Sequence, residues 1–292
     1  MLKRQVQEKI QYIAPDGTTF TMHSPPSKTM LRIDGLGLPT VDLKRVGGPY
    51  QHGDRILAGI LQPRTITANF RWNGCNRDEY WTIRNYMLNK FRFNLTSDPG
   101  YYSTVNDPEP GELRFTYKHN GSMVVRSIGA YLADGLVMPP STDWDEFSVQ
   151  DTLIFQCPNP IFYDPTPHVV AMNIGNNLIN YAGNWEEYPQ IVVDGAVTEF
   201  NIENTDTGYF LYLDYIAAAG SIITFDLTYG KKTILDNAMA DLLSYLTPSS
   251  NLLNFAIQPD PIVALGSNNL ACATVAGAPT ITMTYYDRYT GI

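Results

Sequence analysis

Cationic charge is in short supply in this chain. Its 20 lysines and arginines face 29 aspartates and glutamates, for a net charge of −9 at pH 7. A nucleic-acid reader carries a basic stripe, and none is present. Cysteine is scarce as well: Cys75, Cys157 and Cys272 are odd in number and widely spaced, which excludes a disulfide framework and a zinc motif. Cys157 and Cys272 fall in strand-like runs, where a free thiol acts as a small hydrophobe, and this suits folding in a reducing cytoplasm. No stretch approaches the roughly eighteen apolar residues of a membrane span. Met1–Ile13 carries Gln, Glu and Lys where a secretory signal needs an apolar core. The expectation is a chain with no membrane association.

Catalytic groupings are equally absent. There is no G-x-S-x-G elbow, and His23, His52, His119 and His168 are scattered, with no Ser-His-Asp or Cys-His pattern around them. Gly35-Leu36-Gly37 lacks the third glycine, the following helix and the βαβ setting of a dinucleotide fingerprint. Asp143, Asp145 and Glu146 form one acidic cluster, but without the loop glycine of a calcium site they read as a solvated loop. Nothing among 29 acids singles out a carboxylate pair for glycoside hydrolysis. Trp72, Trp81, Trp144 and Trp185 suggest a sugar-stacking platform, although aromatics of this kind more commonly serve cores and interfaces. The chain is expected to be no enzyme and to hold no cofactor and no metal.

What the sequence has is alternation. Ile66, Ala68, Phe70 and Trp72 interleave with Thr65, Thr67, Asn69 and Arg71, the period of a half-buried strand. Leu113, Phe115 and Tyr117 repeat it, and Asn120-Gly121 then turns the chain into Met123-Val124-Val125, a hairpin with a type I′ turn. Phe147, Val149, Leu153 and Phe155 continue the series. In the second half, Phe200 and Ile202 flank Asn201; Phe210, Tyr212 and Ile216 line up with Asp214; Ile223, Phe225, Leu227 and Tyr229 share one side. Short alternating segments between Gly, Asn, Asp and Pro read as an antiparallel sandwich or small barrel.

One helix breaks the pattern. Tyr80, Ile83, Met87 and Phe91 recur at helical spacing, Asn76 is placed to cap the start, and Asp78 and Glu79 favour its positive end. A second short helix is expected over Asp236–Leu246. Pro158, Pro160, Pro165 and Pro167 crowd one connector, which divides the chain into domains at 1–162 and 163–292. Long loops are expected at Met22–Ser27, Val46–Arg55, Ser97–Pro110 and Met138–Asp145.

The order of these words resembles one family over nearly the whole length. Gly47-Gly48-Pro49-Tyr50-Gln51-His52-Gly53, then Arg64-Thr65-Ile66, the helix, and Phe155-Gln156-Cys157-Pro158-Asn159-Pro160-Ile161-Phe162 carry it in the first half. Tyr188–Gly195, Phe200–Gly208, Ala219–Asp226 and Ala264–Leu270 carry it in the second. Together they are similar to the distal tail proteins of phages with long, non-contractile tails. Leu265 stands where that family often has a turn proline, and the loop Ser141–Glu146 is a further departure.

The resemblance implies a mainly β protein, with an N-terminal β-barrel-like ring domain bearing one helix and a C-terminal galectin-like β-sandwich. It implies a homohexameric ring that joins the tail tube protein to a trimeric hub, lets DNA pass without binding it specifically, and anchors receptor-binding or baseplate proteins. Such a protein resides in the virion tail and assembles in the host cytoplasm. The alternative is a carbohydrate-binding sandwich used in host attachment. Tyr50, Gln51, His52 and Arg64 are the residues assigned to the assembly interface.

Overall fold

The computed structural model describes residues 7–23, 28–47, 54–73, 76–91, 110–135 and 148–292. They form two compact units, one made of residues 1–162 with Thr290–Ile292 and the other of Tyr163–Tyr289. Both are mainly β.

The first unit contains β1 (Gln7–Ile13), β2 (Thr19–His23), β3 (Lys28–Asp34), β4 (Val41–Val46), β5 (Arg55–Leu61), β6 (Arg64–Asn73), helix α1 (Arg77–Phe91), β7 (Gly111–His119), β8 (Ser122–Asp134) and β9 (Ser148–Cys157). The two-residue strand β10 (Phe162–Tyr163) spans the division. Its principal sheet runs β2-β1-β7-β8-β9-β6-β3. The end strands β2 and β3 approach each other, so the sheet curls back on itself. The expected alternation holds where it is described: Ile66, Ala68 and Phe70 of β6 are buried with Leu113 and Phe115 of β7 and Leu153 and Phe155 of β9. The β7–β8 hairpin closes at Asn120 (φ 48°) and Gly121 (φ 86°), the two positive φ values of a type I′ turn. Asn76 caps α1 by accepting the Glu79 N–H at 2.9 Å, and Met87 of this helix is fully buried. The side chains of Tyr80, Ile83 and Phe91, like Phe147, lie outside the described set.

The second unit contains β11 (His168–Met172), β12 (Gly175–Asn180), β13 (Gln190–Asp194), β14 (Val197–Asn204), β15 (Tyr209–Ala217), β16 (Ile222–Asp226), β17 (Thr233–Asp236), β18 (Ser267–Gly277), β19 (Thr280–Tyr285) and β20 (Arg288–Tyr289). Two antiparallel sheets, β11-β19-β13-β16-β17 and β12-β18-β14-β15, enclose one hydrophobic core. Phe200 of one sheet meets Phe225 of the other, with ring centroids 5.6 Å apart. On β15 the buried residues are Leu211, Leu213 and Ala217. Asp214 therefore marks the outward face it shares with Phe210, Tyr212 and Ile216. On the β16 side the alternation ends at Leu227, and Tyr229 is 73% exposed.

The expected helix over Asp236–Leu246 does not form. β17 occupies its first residue, and the Asp236 carboxylate then accepts the N–H groups of Ala238 and Ala240 at 2.8 Å each. That side-chain competition holds the backbone in a turn, and only a 3₁₀ turn at Leu243–Tyr245 follows. Cys157 and Cys272 are free and buried, and burial pushes both thiols up to about 12.

Candidate functional site

Between β3 and β6 the chain makes an excursion whose two strands bury none of their described residues. β4 and β5 pair only with each other among the described strands, and no residue in Val41–Gly47 or 54–61 is buried. Yet the sequence there is apolar. Seven of the nine large hydrophobic side chains that the first unit exposes, among the described residues, fall between Leu38 and Ile60. Val41 pairs with Leu61 and Leu43 with Gly59, placing Val41, Leu43 and Leu61 on one face by the strand period. A bulge between Lys44 and Arg45 then sets Ile56 opposite Arg45, with Leu57 as the extra residue. The Asp42–Lys44 ion pair at 2.6 Å marks the other face. Among the described residues, the side chains of Arg45 and Arg55 make no hydrogen bond or ion pair.

The root of this arm is fixed. Gln62 N–H donates to the Thr40 carbonyl at 2.8 Å. Two residues on, Arg64 turns inward and is only 4% exposed. Its Nε donates to the Pro160 carbonyl (2.9 Å), Nη1 to the carbonyls of Gly35 (2.6 Å) and Gly37 (2.5 Å), and Nη2 to Thr290 (2.7 Å). The guanidinium also lies 4.7 Å from the centroid of the Phe162 ring. Burial lowers its pKa, and the neighbouring Cys157 opposes that slightly. Gly35 has φ 92°, and a Cβ there would stand 2.2 Å from the Thr65 carbonyl oxygen. Thus Gly35-Leu36-Gly37 is a carbonyl cup for Arg64, and Leu36 in turn accepts the Ile292 N–H at 3.1 Å.

The second unit has polar locks where its sequence words meet. Asn268 is fully buried: its Oδ1 accepts from Asn204 Nδ2 (3.0 Å) and Gln258 N–H (2.8 Å), while its Nδ2 donates to the carbonyls of Gln258 and Gly266, each at 2.9 Å. Asp206 accepts the Asn269 N–H at 2.6 Å, joining the β14–β15 turn to β18. Leu265 is 85% exposed with φ 58°. A proline fixes φ near −65°, so this backbone does not accommodate the turn proline of the resembling family.

Of the assigned interface residues, Tyr50, Gln51 and His52 lie outside the described residues, as do Cys75, Trp144 and the acidic cluster Asp143, Asp145 and Glu146. Arg64 is described, and its guanidinium is used within its own chain. The hairpin itself escaped the sequence reading, which took Val46–Arg55 as a loop. Its signal was the alternation of Val41 and Leu43 with Asp42 and Lys44. Trp81 and Trp185 belong to different units, and no group of three or more metal-ligating side chains gathers among the described residues.

The fold is mainly β, and its β4–β5 hairpin pairs with no other described strand. Residues 182–289, in the second unit, match the model of the C-terminal domain of the siphovirus-type tail components. No curated protein matches in sequence. Over 96% of its length the chain is similar in fold to the Dit protein (gp 19.1) of phage SPP1, described as a paradigm of the hub adsorption apparatus in phages infecting Gram-positive bacteria. It covers 98% of that chain, with a TM-score of 0.65 and 13% identity. It is also similar to a chain of the phage P2 baseplate in its activated conformation with Ca, covering 98% of this chain and all of that one, with a TM-score of 0.52 and 9% identity. Over both units the fold is therefore Dit-like.

Proposed function

We propose that this chain is the protomer of a closed homohexameric ring at the end of a long non-contractile tail. The ring joins the tail tube protein to a trimeric hub and carries receptor-binding or baseplate proteins on its periphery, where the second unit serves as a galectin-like sandwich. The observation that carries this reading is the family match of residues 182–289 together with a likeness to SPP1 Dit that extends over both units. The exposed arm supports self-association, because a cyclic ring needs head-to-tail surfaces that close after a fixed rotation. The net charge of −9 suits a conduit that DNA crosses without sticking. Buried free thiols suit assembly in the host cytoplasm. Tyr50, Gln51 and His52, in the stretch joining β4 to β5, belong to the assembly region in this reading.

The test is the native mass of the purified chain by light scattering, with negative-stain imaging of the peak. A species of six 32.7 kDa protomers with a central hole is expected. A protein that remains a monomer even when mixed with purified tail tube and hub proteins sinks the reading.

A further inference from the structure

The turn that closes the β7–β8 hairpin holds a reactive pair that the tail reading does not use. The chain has two Asn-Gly pairs, Asn73-Gly74 and Asn120-Gly121, and asparagine is among the thermolabile residues. Its weakness is a nucleophile next door, because the backbone nitrogen of the following residue can attack the side-chain amide carbon. A side chain on that following residue hinders the approach, and glycine has none. At Gly121 the space is open even to an added Cβ, which would meet nothing within 4 Å. The Gly121 N–H makes no hydrogen bond among the described residues, so the nucleophile is free. Every residue from Lys118 to Met123 is exposed. In addition, His119 Nε2 lies 3.2 Å from Asn120 Nδ2, the nitrogen that would leave. We propose that Asn120-Gly121 is a self-modifying turn, which deamidates without an enzyme and uses His119 to protonate the departing ammonia.

In the first step the Gly121 nitrogen bonds to Asn120 Cγ and gives its proton to solvent. The Cγ–Nδ2 bond then breaks, releasing ammonia and leaving a succinimide. While Nδ2 belongs to a planar amide it only donates, and it points an N–H at the His119 ring. Once Cγ is tetrahedral, Nδ2 is an amine and takes a proton from the imidazolium, a general-acid role. Water then opens the ring. Breaking the bond from the Gly121 nitrogen to Cγ gives aspartate; breaking the bond to the main-chain carbonyl carbon gives isoaspartate. The balance is one amide and one water consumed, one carboxylate and one ammonium formed. The closed turn holds Asn120 at φ 48° and Gly121 at φ 86°, so attack waits for rotation about the Asn120 Cα–C bond. That rotation moves Gly121 and leaves the His119 contact in place. An exposed hairpin end opens at little cost in free energy. The two products differ in consequence. Aspartate still suits a type I′ turn and adds one negative charge, whereas isoaspartate lengthens the main chain and spoils the closing pair His119–Ser122.

The experiment holds the purified full chain at neutral pH and physiological temperature and samples it over days. Peptide mapping by mass spectrometry, with fragmentation that separates isoaspartate from aspartate, reads residue 120, and the same chain in urea reports the reaction without the turn. Native wild type is expected to accumulate both products at residue 120. Asn120→Gly should lose the signal there while keeping the fold by circular dichroism, since Gly-Gly also forms a type I′ turn. His119→Gln should slow the native reaction severalfold. Native protein whose residue 120 stays asparagine overturns the proposal, and if the unfolded chain reacts meanwhile, the closed turn is protective. Reaction confined to Asn73 overturns it as well. A His119→Gln chain that reacts as fast as wild type overturns the proton role of His119 and leaves the site standing.

Discussion

Two hairpins in this molecule share a pattern and differ in fate. β14–β15 and β4–β5 are both antiparallel, both bulged and both built of alternating apolar residues. In β14–β15 the inner set, Phe200, Ile202, Leu211 and Leu213, is within 1% of complete burial. In β4–β5 the corresponding set stands in the open. Alternation states that one face of a strand seeks cover; it does not state that the cover belongs to the same chain. The hairpin with a core carries stability, and the hairpin without one is free to carry assembly.

The largest effect should come from the root that separates the two regimes. Arg64→Met leaves the carbonyls of Gly35, Gly37, Pro160 and Thr290 without their donor, and losing one member of a buried charged network costs about 3–5 kcal/mol. Hydrogen-exchange mass spectrometry should show lost protection throughout the first unit and none lost in the second. Uniform exchange in both units would break the division between them. Next comes the direct comparison of the hairpins. Leu213→Ala in β15 is expected to cost ~2–5 kcal/mol by opening a cavity. Leu57→Ala in the arm should stay within ~0.5 kcal/mol in monomer denaturation. Equal costs would mean that the arm has an intramolecular partner.

The same contrast explains what the sequence made legible. Strands with a covered face were readable because period-two patterning and burial coincide, as at Ile66–Phe70 and Phe200–Ile202. The Asn120-Gly121 turn and the Asn76 cap were readable because one or two residues decide them locally. The arm was not, because its short strands lack a core whose other walls would confirm them. Asp236–Leu246 was ambiguous in the sequence, and the Asp236 carboxylate decides it by accepting two backbone N–H groups. Arg64 was recognisable as important and not as buried, since only the assembled fold brings four distant carbonyls to one guanidinium.

A smaller effect tests whether exposure alone makes an arm. Leu265 is the second unit's counterpart, 85% exposed, yet it sits in a pinned turn at φ 58° beside Gly266, where a Cβ would stand 2.2 Å from the Tyr181 carbonyl oxygen. The left-handed conformation costs a leucine about 1–2 kcal/mol, and glycine gives back part of that as unfolded-chain entropy. Leu265→Gly should therefore raise stability by ~0.5–1 kcal/mol in urea denaturation and leave assembly untouched. A loss of assembly would make this loop a second docking element and blur the comparison.

The smallest effect contrasts two lysines. Lys44, in the arm, is exposed and paired with Asp42. Lys232, in the second unit, packs its Nζ 3.4 Å from the Tyr188 ring centroid and has no hydrogen-bond partner. Burial depresses its pKa to about 8, against the opposing pull of Glu186 and Glu187. Because the folded pKa lies below the unfolded value near 10.5, the unfolded chain holds the proton more tightly between those two values. The penalty of carrying a charged Lys232 is thus complete below pH 8 and disappears as pH rises towards 10.5. An unpaired buried donor costs about 1–3 kcal/mol, which the contact with Tyr188 offsets in part. Lys232→Met should accordingly raise the melting temperature by about 3 °C at pH 7. That advantage over wild type should shrink steadily from pH 8 to 10.5. The mutant-minus-wild-type difference is the quantity to follow, since the raised thiol of Cys272 pulls the absolute curve the other way, losing stability as pH climbs past 9. Lys44→Met, at an exposed position, should show no such gain at pH 7. If it does, the arm's face is covered in the monomer, and the contrast between a hairpin that stabilises and one that assembles fails.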